Sequence, residues 1–290
     1  MRRDAFNKTL VVLYFVSFAV LLYFLVTGTS YYLAPLQERP RHEAYWALKP
    51  GGATGHALGI FGSALMILML LYSVRKRVPG LRRFGAPRLW LQFHILCGIV
   101  GPLFVILHSS FKVQGLVALS FWSMIIVALS GFVGRYLYVQ MPRRRSGDEM
   151  TLAEVEALNR QLGRRLAEEF QLSKVVLEEL EMISTSTRDD TRHLFRIVLT
   201  LPWESLTLQW RLRKFQRSSQ ASRHPLFSEL RKVVRQKAYL ERRIRLWDEL
   251  HRLFYYWHVF HKPFAVIMYL FMIVHVAVAI VTGYSGGFGK

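Results

Sequence analysis

The chain has few of the residues that mark secreted and soluble proteins. It contains a single cysteine, Cys97, which excludes a scaffold stapled by disulfides. Acidic residues number 19 against 39 lysines and arginines, and only Asp4, Glu38 and Glu43 lie outside residues 141–255. Charged residues make up 20% of the chain and hydrophobic residues 52%, which excludes a disordered polyelectrolyte. These proportions indicate an integral membrane protein in which basic segments separate apolar ones.

Five apolar stretches are long enough to cross a bilayer, whose core of about 30 Å requires roughly 20 helical residues. The predicted transmembrane helices cover residues 9–28, 55–74, 89–108, 116–139 and 263–283. We expect the fifth helix to begin earlier, because the residues before it are aromatic and only weakly polar. The first is predicted to be a retained helix, since its apolar run is longer than that of a signal peptide and no small-residue cleavage pattern follows.

The distribution of lysine and arginine predicts the orientation of these helices. Loop 75–88 carries six basic residues and no acid, whereas loop 109–115 carries one lysine. We therefore predict an all-α integral membrane protein of five transmembrane helices, with its N-terminus in the cytoplasm and its C-terminus outside. Residues 1–140 would form helices 1–4, residues 141–255 a basic cytoplasmic insert, and residues 256–290 the fifth helix with an outer tail.

The cytoplasmic insert is predicted to be helical. Thr151 and Glu154 form a capping box at a helix start, and apolar residues follow at helical spacing as far as Phe170. A second apolar run over residues 226–247 keeps a 3–4 spacing, with Lys237 as its one polar step.

Further predictions rest on three prolines and on one short apolar segment. Pro202 and Pro225 are predicted to start helices, because proline is favoured in the first helical turn. Pro263 is predicted to kink the helix that enters the fifth span. The segment 194–201 fits a strand and a helix equally well.

The net charge of the insert allows two interpretations. It holds 23 basic and 16 acidic residues, a net charge of +7. It is either a helical bundle attracted to anionic lipid at the membrane surface or a platform on which a partner protein docks. Nucleic acid is not expected as a partner, because the topology of a membrane protein already explains much of the charge.

Four histidines form two pairs of equal spacing within the apolar spans, where ionisable groups are costly. His94 and His108 lie on the third helix and His261 and His275 on the fifth, each pair fourteen residues apart. Fourteen residues rise about 21 Å and leave the two side chains about 40° apart around a helix, so each pair lies on one face. Because both helices run outward, His94 is expected to face His261 near the cytoplasm and His108 to face His275 near the outer surface.

Two stacked bis-imidazole sites suit two six-coordinate b-type haems, whose irons take an axial imidazole from each side. The sequence therefore predicts an inner haem held by His94 and His261 and an outer haem held by His108 and His275. A lone histidine in a span is more often a packing residue, but two pairs of identical spacing are harder to obtain from packing. Covalent c-type attachment is excluded, because the chain has no CxxCH motif.

Several residues near these histidines have two interpretations each. Arg135 is a candidate partner for an inner haem propionate, although snorkelling explains it nearly as well, and Lys112 is the corresponding candidate for the outer haem. His258 is the rival of His261, but it lies about 100° from His275 around the helix. His56 is either an interfacial hydrogen-bonding residue or a contact for quinone or substrate.

Small residues in the third and fourth helices are expected to leave room for a macrocycle. They are Gly98, Gly101, Gly131 and Gly134. Glycine also serves ordinary packing between membrane helices, so this interpretation has an alternative.

The segments HILCGIVGPLFVILH (94–108) and HKPFAVIMYLFMIVH (261–275) resemble the ferric-reductase-like transmembrane core shared with NADPH oxidases. In that family two haems are held between the third and fifth helices by a pair of histidines on each, thirteen or fourteen residues apart. The cytochrome b of quinol-oxidising complexes uses the same spacing on two parallel helices and is the second resemblance. The resemblance covers roughly residues 55–139 and 256–283.

The chain departs from the oxidase pattern in two ways. It has no HPFT-like flavin motif and no GxGxxG after a predicted strand, and about 115 residues separate its fourth and fifth helices. If the resemblance holds, the electron donor is another polypeptide or a quinol, and the insert 141–255 is where a cytoplasmic or membrane-bound redox partner docks.

The resemblance implies a membrane cytochrome b subunit that carries electrons across the bilayer through two b haems, to or from a donor or acceptor at the outer face. Such a chain is an electron-transfer subunit of an oxidoreductase complex rather than a self-contained enzyme. Three alternatives stay open: a quinol-oxidising subunit, a haem-free scaffold or proton relay, and a metal or oxygen reductase working at the outer haem. The compact loops favour a bacterial inner membrane.

Overall fold

The structure, a computed structural model, describes residues 2–143, 149–170 and 227–283 and eight helical residues between 203 and 214. The α-helices with described bounds are α1 (Arg2–Thr27), α2 (Thr29–Leu33), α3 (Tyr45–Leu48), α4 (Ala53–Met69), α5 (Leu71–Arg77), α6 (Pro87–His108), α7 (Val117–Gln140), α8 (Leu152–Glu168), α9 (Phe227–Arg245) and α10 (Trp247–Val281). Within these ranges the β-pairing consists of one isolated bridge between Arg143 and Glu149. The described part of the chain is therefore all-α, as predicted.

Five helical stretches are long and apolar enough to cross a membrane, which confirms the predicted number. They are Lys8–Thr27, Tyr45–Arg77, Pro87–His108, Val117–Gln140 and Trp247–Val281. Large apolar side chains on them, such as Phe15 and Val266, are exposed, as expected where lipid is the solvent. The chain is thus built as an integral membrane protein.

The fifth span begins earlier than its apolar core, as expected from the aromatic residues before it. α10 starts at Trp247 and continues as α-helix through Pro263. Leu246 alone separates it from α9, and backbone hydrogen bonds from Leu246 to Arg242 and from Leu250 to Leu246 carry the helix across that residue.

Some predictions concern parts of the chain outside the described residues. They are the helix starts at Pro202 and Pro225, the segment 194–201 and the outer tail 284–290.

The chain divides into two compact units. The membrane unit comprises residues 1–134 and 257–290, and the insert unit comprises residues 135–256. In the membrane unit α4 packs along α6, and a Cβ on Gly62 of α4 would lie 2.9 Å from the carbonyl oxygen of Gly101 on α6. Small residues thus bring these two backbones together, as in other membrane helix pairs.

The insert unit contains the two amphipathic helices that the sequence predicts. The Thr151 amide donates to the Glu154 carboxylate at 2.9 Å and the Glu154 amide donates to the Thr151 hydroxyl at 3.4 Å, which confirms the capping box. α8 and α9 pack together through the predicted apolar positions. Their buried core consists of Val155, Leu162, Leu166, Phe170, Leu230, Val233, Val234, Ala238 and Leu240.

The one polar residue in the apolar run of α9, Lys237, is neutralised by an ion pair within the helix. Lys237 is buried, its ammonium contacts the Glu241 carboxylate one turn later, and its stem passes close to Gly163 of α8. The aliphatic stem adds to the core while the charge is neutralised next to it.

We expect Leu166→Ala to loosen the pairing of α8 with α9. The Leu166 side chain is fully buried in this core, and truncating a buried leucine to alanine costs about 2–5 kcal/mol. Amide hydrogen exchange of residues 152–168 in the full-length protein should accelerate by the corresponding factor. Gln161→Ala, at an exposed position of the same helix, is the control, and equal exchange in the two variants would contradict the proposed core.

Candidate functional site

The two outer histidines of the predicted pairs face each other in the membrane unit. The ring centroids of His108 on α6 and His275 on α10 lie 6.3 Å apart, with the ring planes inclined at 60°. An imidazole nitrogen lies about 2 Å from a metal that it binds and roughly 1 Å from its ring centroid, so two imidazoles trans on one metal have centroids about 6 Å apart. The separation of these rings is the right size for both imidazoles to bind one metal ion.

A backbone hydrogen bond fixes the tautomer of His108. Its Nδ1 lies 2.7 Å from the carbonyl oxygen of Gly55 at the start of α4. A carbonyl accepts but cannot donate, so Nδ1 carries the proton, and in a neutral ring Nε2 holds the lone pair. A Cβ on Gly59 would lie 2.6 Å from this same Nδ1, so the ring reaches α4 only because residue 59 is glycine.

His94 has the same type of partner at the other end of α4. Its Nδ1 lies 3.1 Å from the carbonyl oxygen of Met69, the last residue of that helix. The helix is interrupted at Leu70, and the Ser73 amide donates to Leu70 instead of to Met69. The interruption leaves the Met69 carbonyl available to accept the Nδ1 proton of His94.

The fourth histidine of the two pairs, His261, is held by α7. Its Nδ1 lies 2.7 Å from the hydroxyl oxygen of Ser130, and its ring lies 4.9 Å from that of Trp257 at an interplanar angle of 35°. His261 is also within electrostatic range of both His94 and His258. His108 and His275 are in ring contact, and His94 and His261 lie within electrostatic range of each other, so α6 and α10 run in the same direction.

The chemistry of the four histidines suits binding of a haem iron. Histidines that bind metals usually use their second ring nitrogen to contact a carboxylate, a backbone carbonyl or water, which fixes the tautomer and raises the basicity of the ligand. His94 and His108 have such a contact from Nδ1 to a backbone carbonyl, and His261 Nδ1 contacts the Ser130 hydroxyl.

The C-terminal end of α6 is fixed by a buried arginine. Arg39 donates from its guanidinium to the backbone carbonyls of Tyr32, Ala34 and Ser110, and the Ser110 hydroxyl donates to the Leu48 carbonyl at 2.7 Å. Ser110 is in the left-handed region with φ of 49°, a conformation that persists only where surrounding contacts enforce it. These bonds fix the chain just after His108.

Methionine and tyrosine side chains form a buried cluster in the membrane unit, and three of them, Met268, Tyr269 and Met272, lie between His261 and His275 on α10. Met66, Met124, Met268 and Met272 are buried together, and the Tyr269 hydroxyl donates to the Met66 carbonyl at 2.6 Å. Methionine adapts to irregular spaces, so this cluster fills its part of the core without requiring close shape complementarity.

The two cations predicted to contact haem propionates lie in different surroundings. Lys112 is exposed in the loop after α6. Arg135 belongs to the insert unit, where its guanidinium lies 5.6 Å from the Tyr138 ring. A cation that the sequence reasoning missed lies close to His94: Lys76 on α5.

The ammonium of Lys76 lies 4.5 Å from the ring centroid of Tyr72, and that ring lies 5.3 Å from the His94 ring. Lys76 is within electrostatic range of His94. The i, i+4 spacing of Tyr72 and Lys76 on α5 could have indicated that these two side chains lie together. In the sequence analysis the basic residues of that segment were used only to predict the orientation of the transmembrane helices. His56, in the first turn of α4, is likewise within electrostatic range of His108 and His275.

The four glycines expected to leave room for a macrocycle differ in what surrounds them. A Cβ on Gly98 would lie 3.1 Å from the Met69 sulfur, and one on Gly101 would lie 3.1 Å from Met66 Cγ, so both glycines serve packing against α4. A Cβ on Gly134 would lie 2.1 Å from Cζ2 of Trp257, so an indole occupies that space. A Cβ on Gly131 would have open space around it, with no side chain or other helix of the described ranges within 4 Å.

Comparison of the chain with protein-family models, curated proteins and solved structures finds no match. The function must therefore be inferred from the geometry of the histidines.

We expect Gly134→Ala to destabilise the membrane unit and Gly131→Ala to leave it nearly unchanged. The added methyl at position 134 would collide with the Trp257 indole, and overpacking of this kind costs about 1–3 kcal/mol. Thermal unfolding in detergent, followed by tryptophan fluorescence, compares the two variants. They share the helix and the substitution, so equal unfolding temperatures would contradict the contact between Gly134 and Trp257.

Proposed function

We propose that this protein is a membrane cytochrome b subunit, which carries electrons across the bilayer through two b-type haems. The observation that carries the proposal is the outer pair, in which His108 and His275 face each other at 6.3 Å and His108 Nδ1 donates to a backbone carbonyl. The inner haem would be held by His94 and His261. The haems supply the one-electron chemistry, and the chain supplies ligands, spacing and an apolar surrounding.

The protein contributes to this function by holding neutral imidazoles in place before a haem binds. Each protonated Nδ1 of His94 and His108 is fixed to α4, so the rings offer Nε2 lone pairs without rearrangement. Electron transfer requires little movement of the ligands, and helices packed through Gly62 and Gly101 provide that rigidity.

Negatively charged propionates need cations near the membrane surfaces. Lys76 is the cation placed next to the inner pair through Tyr72, so we assign it to the inner haem, and Lys112 stays the candidate at the outer side. Long side chains of this kind keep the charge near water while the stem covers apolar surface.

We further propose that the N-terminus and the insert lie in the cytoplasm of a bacterial cell and the loop after α6 lies outside its inner membrane. The basic segment 75–88 and the insert support this orientation. The insert unit would then receive a redox partner on the side of the inner haem, and the second donor or acceptor would react at the outer side.

The proposal is tested first by haem content. The purified protein should show a dithionite-reduced minus oxidised spectrum of low-spin b haem, with about two haems per chain, as two bis-histidine sites require. A colourless protein after expression with sufficient haem would overturn the proposal in favour of a scaffold or proton relay.

Histidine variants then test the pairing. His108→Ala and His275→Ala should each remove one haem, the same one, because either change takes away one of its two axial ligands. His94→Ala and His261→Ala should remove the other. Haem quantification and low-temperature optical spectra make the distinction.

His258→Ala is the matched control, because His258 is the nearest rival on the same helix. It should keep both haems. Loss of the inner haem in this variant, or loss of both haems in His275→Ala, would contradict the assignment.

Cysteine labelling tests the orientation. In a Cys97→Ala background, Gln114→Cys should react with a membrane-impermeant maleimide on intact cells, whereas Arg83→Cys should react only after permeabilisation. Both positions are exposed, so accessibility in the folded protein does not distinguish them. The reverse labelling pattern would place the N-terminus outside.

A further inference from the structure

We propose that Ser130 on α7 is the positioning residue of the inner site: it orients His261 and lowers the reduction potential of the haem that this histidine binds. The inference rests on the proposed function and goes beyond it by assigning a residue that sets one of the two potentials. No sequence motif indicates this role for Ser130.

The Ser130 hydroxyl lies between a carbonyl and an imidazole. Ser130 Oγ lies 2.9 Å from the Val127 carbonyl oxygen and 2.7 Å from His261 Nδ1. An iron bound at Nε2 of His261 would leave the ring proton on Nδ1, so Nδ1 would donate to Ser130 Oγ. The Ser130 hydroxyl would then give its single proton to the Val127 carbonyl, which can only accept.

The backbone of Ser130 also fixes the neighbour of His261. The Trp257 indole N–H donates to the Ser130 carbonyl at 2.7 Å, and the indole ring lies against the His261 imidazole. Gly134, one turn later on α7, leaves the space that this indole occupies. The His261 ring is therefore held at its edge by the Ser130 hydroxyl and at its face by Trp257.

The inner ligand on α10 differs from both ligands on α6 in the kind of group that its Nδ1 contacts. His94 and His108 donate to backbone carbonyls, which no side-chain substitution removes. His261 depends on a hydroxyl, which one substitution removes.

The acceptor on Nδ1 has a direct electronic consequence. A hydrogen bond from Nδ1–H makes the imidazole a more basic ligand, which stabilises the ferric form of the iron. Removing the acceptor should weaken that stabilisation and raise the reduction potential of the inner haem. The outer haem, whose ligand His108 donates to Gly55, should not respond.

The experiment is a potentiometric titration of Ser130→Ala, Ser130→Thr and Ser120→Ala in the full-length, haem-loaded protein. Ser120 is the matched control, because its hydroxyl lies on the same helix and donates to the Met268 carbonyl at 3.0 Å without touching a histidine. The haem remaining in a His108→Ala background identifies which potential belongs to the inner site. We expect Ser130→Ala to shift that potential upward, and Ser130→Thr, which keeps a hydroxyl, to restore it.

Loss of the inner haem alone in Ser130→Ala, with retention in Ser130→Thr, would support the same assignment. Two unchanged potentials, equal shifts of both, loss of both haems, or the same shift in Ser120→Ala would overturn it. A parent protein without haem overturns the proposed function and this inference together, whereas a two-haem parent with unmoved potentials overturns this inference alone.

Discussion

A neutral imidazole inside a bilayer has one N–H to donate and one lone pair to offer, and an unsatisfied donor is costly where no water is present. The arrangement of this protein follows from how that donor is satisfied. His94 and His108 give their Nδ1 protons to carbonyls of α4, and His261 contacts a hydroxyl of α7. The donor requirement of the apolar interior therefore determines the tautomer, and in His94 and His108 it leaves Nε2 as the nitrogen with the lone pair.

This constraint gives α4 the role of supplying backbone acceptors to the histidines of α6, a role that its sequence does not indicate. Its acceptor carbonyls belong to Gly55 and Met69, which are fourteen residues apart, the same separation as His94 and His108 on α6. Two helices packed side by side thus repeat one spacing, one through side chains and the other through its backbone. The interruption at Leu70 and the glycine at position 59 are the two local departures that make both carbonyls reachable.

Much of the fold could be predicted because it depends on residue patterns. Five apolar runs indicated five helices long and apolar enough to span a membrane, and the capping box at Thr151 indicated the start of α8. Both are confirmed in the described residues. The equal spacing of the histidines also suggested which of them come together. What the sequence could not indicate depends on backbone geometry and on neighbours distant in the chain. Every residue has a backbone carbonyl, so no residue type in the sequence marks the carbonyls that His94 and His108 contact. The contact of Gly134 with Trp257 joins residues 123 positions apart, which no local pattern indicates.

The two units also differ in how they stabilise buried cations, and the difference follows from where the acidic residues lie. In the insert unit, which holds nearly all the carboxylates, buried Lys237 is paired with Glu241. In the membrane unit the buried guanidinium of Arg39 donates to three backbone carbonyls near the outer pair, and that of Arg75 donates to the carbonyls of Phe84 and Gly85 on the loop before α6. A carbonyl satisfies the hydrogen bonds of a cation but does not cancel its charge. The membrane unit thus offers backbone acceptors to these guanidinium groups, where the insert unit places a carboxylate next to its buried lysine.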